Sequence, residues 1–171
     1  KKAIKVINNF PIKGIKFQDV FSLTNNPVIF RRIVNEIVKT IKSRSITKIV
    51  GIEARGFIFG AAASVRSNIP FIPIRKPGKL PGKVIKQSYK LEYGKDIIEI
   101  QDGQILKKDN ILLIDDLIAT GGTANASCKL IRKFNSKKIT AFFVVNLHNL
   151  HGSDKLKANN VKVISLYDTI G

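Results

Sequence analysis

The chain has 171 residues, 44% hydrophobic and 25% charged, proportions that fit one globular domain with enough apolar material for a core. No run approaches the roughly 18 apolar residues of a membrane helix, and Lys1-Lys2-Ala3-Ile4-Lys5 has no apolar signal region behind its charges, so a soluble cytoplasmic protein without membrane attachment is expected. The formal charge of +18 suits polyanions of any kind, yet Lys outnumbers Arg 23 to 7, a bias that genome composition alone can produce. No basic run is interleaved with aromatics as a base-stacking platform needs, so nucleic acid is not the expected partner.

The first predicted helix covers 28–42, where Ile29, Ile33, Ile37 and Ile41 recur every four residues opposite Arg31, Arg32, Glu36 and Lys39. Apolar, β-branched runs lie at 46–52, 69–74, 111–114, 141–147 and 161–166, with helical patterns at 57–67 and 124–134. This alternation predicts an α/β fold, a single doubly wound domain over 1–171 whose mainly parallel five-stranded sheet is covered on both faces. The helices at 57–67 and 124–134 each start after a Gly-containing turn that closes a strand, which is where ligands sit in such sheets. Between 76 and 101 the pattern changes, with Pro77, Gly78, Pro81, Gly82 and five lysines ahead of a short polar-apolar stretch, and a mobile, hairpin-like excursion is expected. Cys128 falls on a helical pattern and reads as a buried, inert thiol, while His148 and His151 lie in a loop without metal-ligand spacing. No disulfide, zinc or catalytic role is expected of these three residues.

The most informative segment is 111–123. Ile111-Leu112-Leu113-Ile114 reads as a buried strand that Asp115-Asp116 end, and Leu117-Ile118-Ala119-Thr120-Gly121-Gly122-Thr123 turn into the next helix. Glycines let backbone amides approach an oxyanion, threonine hydroxyls add donors, and a helix start supplies unpaired N–H groups and the positive end of a dipole. Two adjacent carboxylates at the mouth of an apolar strand repel each other and resist desolvation, so they want partners, and the vicinal hydroxyls of a ribose suit them. Other phosphate motifs fail: Gly51 and Gly56 have P-loop spacing but Phe57 stands where Lys is required, and the Gly78 to Lys83 segment is one residue short.

Residues 111–123 resemble the binding signature for 5-phosphoribosyl 1-diphosphate (PRPP) of the type I phosphoribosyltransferases: four apolar residues, two acids, two apolar residues, then Ala-Thr-Gly-Gly-Thr. Further segments resemble the adenine phosphoribosyltransferases: Phe10-Pro11 with Gly14 and Phe17-Gln18-Asp19, residues 51–60, residues 74–82, and Ser88 through Gly94, with a weaker likeness at 146–150. The resemblance implies that Asp115 and Asp116 hold the ribose hydroxyls and that Ala119, Thr120, Gly121, Gly122 and Thr123 hold the 5-phosphate. Arg55 is implied to hold pyrophosphate and to act in catalysis. Arg75, Lys76 and Lys79 are implied to stabilise charge on the leaving group, some of them across a homodimer interface.

The resemblance further implies a hood of about residues 1–25, with Phe17 stacking on adenine, the backbone of Lys16 and Gln18 reading its edge, and Leu147 on its other face. The chain departs from the family pattern at Lys13 and Gln18. Glu92, in a catalytic loop of about 76–101, is implied to exchange a proton with purine N7. Mg²⁺ is the implied cofactor, held mainly through PRPP or pyrophosphate and water, without a dedicated protein metal site. A non-proline cis peptide at Glu53-Ala54 is a further implication. The expected reaction is adenine plus PRPP giving AMP and pyrophosphate. Transfer to an oxopurine, or a PRPP-sensing regulator that binds nucleic acid, are the alternatives, and Asn146-Leu147-His148 offers no lysine to donate to a 6-oxo group.

Overall fold

The computed structural model describes residues 4–14, 16–90, 94–136 and 138–170. At the amino end β1 (Lys5–Asn8) pairs antiparallel with β2 (Lys16–Asp19), and α1 (Phe21–Thr24) leads into α2 (Pro27–Ser43). Asn26 caps α2, its side chain accepting from the Val28 and Ile29 N–H groups at 3.1 and 3.2 Å, and Pro27 occupies the first turn, where no N–H partner is needed. The stripe predicted for this helix is buried as expected through Ile33, Ile37 and Ile41.

The central sheet has five parallel strands in the order β4-β3-β7-β8-β9: β3 (Lys48–Ile52), β4 (Phe71–Ile74), β7 (Asn110–Ile118), β8 (Lys138–Leu147) and β9 (Lys162–Thr169). Alternate residues of β7 feed opposite cores. Leu112 and Ile114 pack with Ile33 and Ile37 of α2, Phe59 of α3 (Arg55–Ser67), and Phe142 and Val144. Ile111 and Leu113 pack on the other side with Cys128, Leu130 and Ile131 of α4 (Gly122–Arg132) and with Leu156 of α5 (Gly152–Ala158). The doubly wound sheet is therefore a consequence of strands apolar on both faces.

Two boundaries differ from the sequence expectation. β7 does not stop at Asp115-Asp116 but runs on to Ile118, because β8 is long enough to pair Val145 and Asn146 with Leu117 and Ile118. α5 lacks a periodic signal at only seven residues, and it starts from His151, which is in the left-handed conformation. The excursion folds as an antiparallel hairpin of β5 (Val84–Lys90) and β6 (Lys95–Gln101), with Ile98 and Ile100 joining the α4-side core.

Candidate active site

At the carboxyl end of β7 a cavity of about 760 Å³ is lined by Arg55, Lys90, Asp115, residues 117–124 and Lys155. Its floor is the turn from β7 into α4. Gly121 has φ +73°, and a Cβ there would lie 2.8 Å from the carbonyl oxygen of Gly152, so only glycine lets α5 back the turn this closely. A side chain at Gly152 would in turn strike the Ala119 carbonyl and the Gly121 amide. Gly121 has no side chain to cap α4, and the first amides of that helix have no intrahelical acceptor. Those amides, with the nearby Thr120 hydroxyl, are the kind of donors that an anion cradle needs.

The carboxylates sit at the cavity's edge in different ways. Asp115 lines it, and its Oδ1 accepts the Asp116 N–H at 2.9 Å. Asp116 is 1% exposed; its Oδ2 is ion-paired with Arg55 Nε at 2.9 Å, and neither of its oxygens has a hydrogen-bond partner among the described residues. Burial, then the charge of Asp116, pushes the Asp115 carboxyl well above the usual carboxylate range. Burial also raises Asp116, while the Arg55 guanidinium pulls against it. A polar ligand is what such a pair lacks. Arg55 reaches it because α3 comes close to β7 at Gly56, where a Cβ would lie 2.6 Å from the Ile114 carbonyl oxygen.

The predicted cations of the excursion stand elsewhere. Arg75 Nε lies 3.3 Å from Glu53 Oε2, Lys79 Nζ lies 3.0 Å from Glu53 Oε1, and Lys76 is ion-paired with Asp96. None of the three lines the cavity. Glu53, followed by the cis Glu53-Ala54 peptide, is opposed by burial, yet the Lys76 N–H, Lys79 and Arg75 hold it at about 2. Tyr89 ties this cluster to the cradle, its hydroxyl donating to Asp96 Oδ2 at 2.9 Å and accepting from Thr123 Oγ1 at 3.2 Å.

In the hood the Phe17 ring meets Phe10 edge-on with centroids 5.0 Å apart, Lys16 is exposed and paired with Asn8, and Gln18 Nε2 donates to the Ile170 carbonyl at 3.4 Å. Leu147 ends β8 buried in the apolar cluster that also takes in Leu117 and Ala119 of the cavity wall. Glu92 lies outside the described residues. The sequence reading missed Lys90 and Lys155, which do line the cavity, and Gly152, which backs it. Lys155 donates to the Thr120 carbonyl at 3.2 Å. Glycine after His151 was the available signal for a chain reversal there.

Fold and cavity together define a class, a doubly wound sheet with a glycine-built turn and cavity at the carboxyl end of its central strand, and residues 20–170 match the phosphoribosyl transferase domain family. The whole chain is 48% identical to the adenine phosphoribosyltransferase of Actinobacillus succinogenes, of which it covers 95%. Among solved structures it is similar to adenine phosphoribosyltransferase from Thermoanaerobacter pseudethanolicus, with TM-score 0.91, 37% identity, and 98% of this chain and 96% of that one covered. The enzyme from Saccharomyces cerevisiae, solved with an imino-altritol bisphosphate and adenine, aligns with TM-score 0.88 and 36% identity over 96% of this chain and 94% of its own. This chain belongs to the adenine phosphoribosyltransferase family, within the type I phosphoribosyltransferase fold.

Proposed function

We propose that this chain joins adenine to the ribose 5-phosphate of PRPP, releasing pyrophosphate and yielding AMP, as a Mg²⁺-dependent pentosyltransferase of purine salvage that works in the cytoplasm as a homodimer. The observation that supports it most is the glycine-built turn at 119–123 beside a buried pair of carboxylates, of which Asp116 has no hydrogen-bond partner for either oxygen among the described residues. A cradle of amides and hydroxyls takes the 5-phosphate, and Asp115 and Asp116 take the ribose hydroxyls. Arg55 engages Asp116 through Nε, which leaves its terminal N–H groups for pyrophosphate. Lys90 and Lys155 add positive charge to the same cavity.

At the anomeric carbon the bond to pyrophosphate breaks as adenine N9 forms the new one through its lone pair, with inversion, and the one proton that the adenine imidazole ring gives up leaves from N7 to Glu92. No side-chain nucleophile is required. The rate comes from orienting the reactants, from charge stabilisation on the leaving group and from exclusion of water. Glu92 exchanges a proton with purine N7 in this reading, and Arg75, Lys76 and Lys79 exchange their present carboxylates for pyrophosphate oxygens. Phe17 and Leu147 sandwich the base, with the backbone of Lys16 and Gln18 at its edge. Residues 1–25 then form the base hood and 76–101 the catalytic loop.

Asp115 on the cavity wall and the unpaired Asp116 Oδ1 are hard oxygen donors, the type that suits Mg²⁺ held chiefly by diphosphate oxygens and water. When bound, Mg²⁺ supplies charge neutralisation on the leaving group. The decisive experiment is a panel of adenine, hypoxanthine and guanine with PRPP and Mg²⁺, following nucleotide and pyrophosphate. AMP from adenine alone is expected. Turnover of an oxopurine instead would reassign the base, and PRPP binding without turnover of any base would make the chain a PRPP sensor.

A further inference from the structure

A second cavity, of about 520 Å³, adjoins the phosphate cradle and shares Lys90, Gly122 and Lys155 with it. Lys95 of β6 and Lys129 of α4 complete its charged lining, and no Asp or Glu stands among its described lining residues. Four lysines thus converge from four elements. The hairpin register sets Lys90 directly opposite Lys95, a like-charge pair that weakens a sheet unless something neutralises it.

Neighbouring lysines show that neutralisation was open to this part of the chain. Lys76, Lys83 and Lys86, on or beside the same hairpin, each hold a carboxylate, from Asp96, Asp102 and Glu99. Among the described residues Lys90, Lys95, Lys129 and Lys155 have no acidic partner, and Lys155 instead donates to the Thr120 carbonyl of the cradle. Positive charge that has no acidic partner among the described residues, beginning where the cradle ends, suits an anion that also begins there. Gly122 is common to both cavities, so a chain of phosphates whose first member occupies the cradle continues past this glycine into the groove.

We infer that the lysine groove binds the outer phosphates of a nucleoside 5′-di- or triphosphate whose first phosphate sits in the 119–123 cradle. The inference rests on the reading of that cradle as a nucleotide 5-phosphate site. It makes the more highly phosphorylated forms of the product competitors of PRPP, so that the enzyme is held back when adenine nucleotides are plentiful. One phosphate, as in AMP, fills only the cradle and leaves the groove unused.

Calorimetric titration of the full chain with AMP, ADP and ATP, at low salt and without divalent cations, tests it. ADP and ATP are expected to bind at least about tenfold more tightly than AMP, an advantage that shrinks as salt rises. The double variant Lys95→Gln/Lys129→Gln, which alters two exposed side chains, should bring all three to within about twofold of one another. AMP affinity should stay as in the parent chain. Equal affinity for AMP, ADP and ATP in the parent chain overturns the inference, and so does an unchanged ADP advantage in the double variant. These ratios do not depend on turnover, so a chain that forms no AMP would sink the reaction while leaving the groove to be judged on binding.

Discussion

The phosphate cradle and the base of the hairpin are both read as anion sites, yet the chain has prepared them in opposite ways. In the cradle the donors are backbone amides fixed by Gly121 and Gly152, and neither oxygen of the adjacent Asp116 has a hydrogen-bond partner among the described residues. At the hairpin base Arg75, Lys76 and Lys79 already have carboxylates, Glu53 and Asp96. An anion reaching the hairpin cations has to displace a carboxylate from each. In the proposed reading, positioning built from backbone is ready before substrate arrives, and positioning built from charged side chains is exchanged as it arrives.

Breaking the cradle should have the largest effect. In Gly152→Ala the new methyl meets the Ala119 carbonyl and the Gly121 amide, backbone atoms that cannot step aside without moving the turn itself. The expected result is a loss of at least about 100-fold in kcat/KM for PRPP, with a lowered melting temperature, measured by steady-state assay and calorimetry. Normal PRPP kinetics in this variant would mean that α5 does not hold the turn in place.

Next in size is Asp115→Asn. The folded chain holds a proton on Asp115 more tightly than the unfolded chain does, because of burial and then the charge of Asp116. Stability from that group is therefore complete at low pH and declines as pH rises through its elevated folded pKa. Asparagine removes the decline, so the variant should melt a few degrees higher than the parent at pH 8 and alike at pH 4, while PRPP binding weakens by about tenfold or more. A variant less stable at pH 8 would show that the pair is already satisfied without ligand.

The same contrast explains what could be read from sequence. The sheet was legible because β7 and β8 are apolar on both faces, and the cradle because glycine, threonine and acid at fixed spacing have few other uses. The strand's extension through Asp115 and Asp116 was hidden, since it depends on β8 offering Val145 and Asn146 as partners. Lys155 and Gly152 were hidden for a similar reason. They reach the site on a helix of seven residues, too short to show a period, brought there by the crossover from β8 to β9. For Arg75, Lys76 and Lys79 the sequence showed positive charge beside a loop, but ion pairs spanning 20 to 26 residues are a property of the folded chain alone.

The smallest effect should come from Glu53→Gln, which sharpens the comparison from the hairpin side. Burial opposes the Glu53 charge, but the Lys76 N–H at 2.8 Å and the Lys79 and Arg75 side chains bring its pKa to about 2 from the ordinary 4.5. A folded pKa below the unfolded one means that Glu53 stabilises the fold above pH 4.5 and loses that contribution as pH falls toward 2. Glutamine keeps the shape and an acceptor but not the charge, so the variant should melt a few degrees lower at pH 7, with the gap closing as the medium is acidified. Because Arg75 and Lys79 then no longer trade a carboxylate for a phosphate, KM for PRPP should fall by about two- to threefold. A melting gap that stays constant with pH would show that Glu53 acts through packing, and an unchanged KM would place Arg75 and Lys79 outside the path of the substrate.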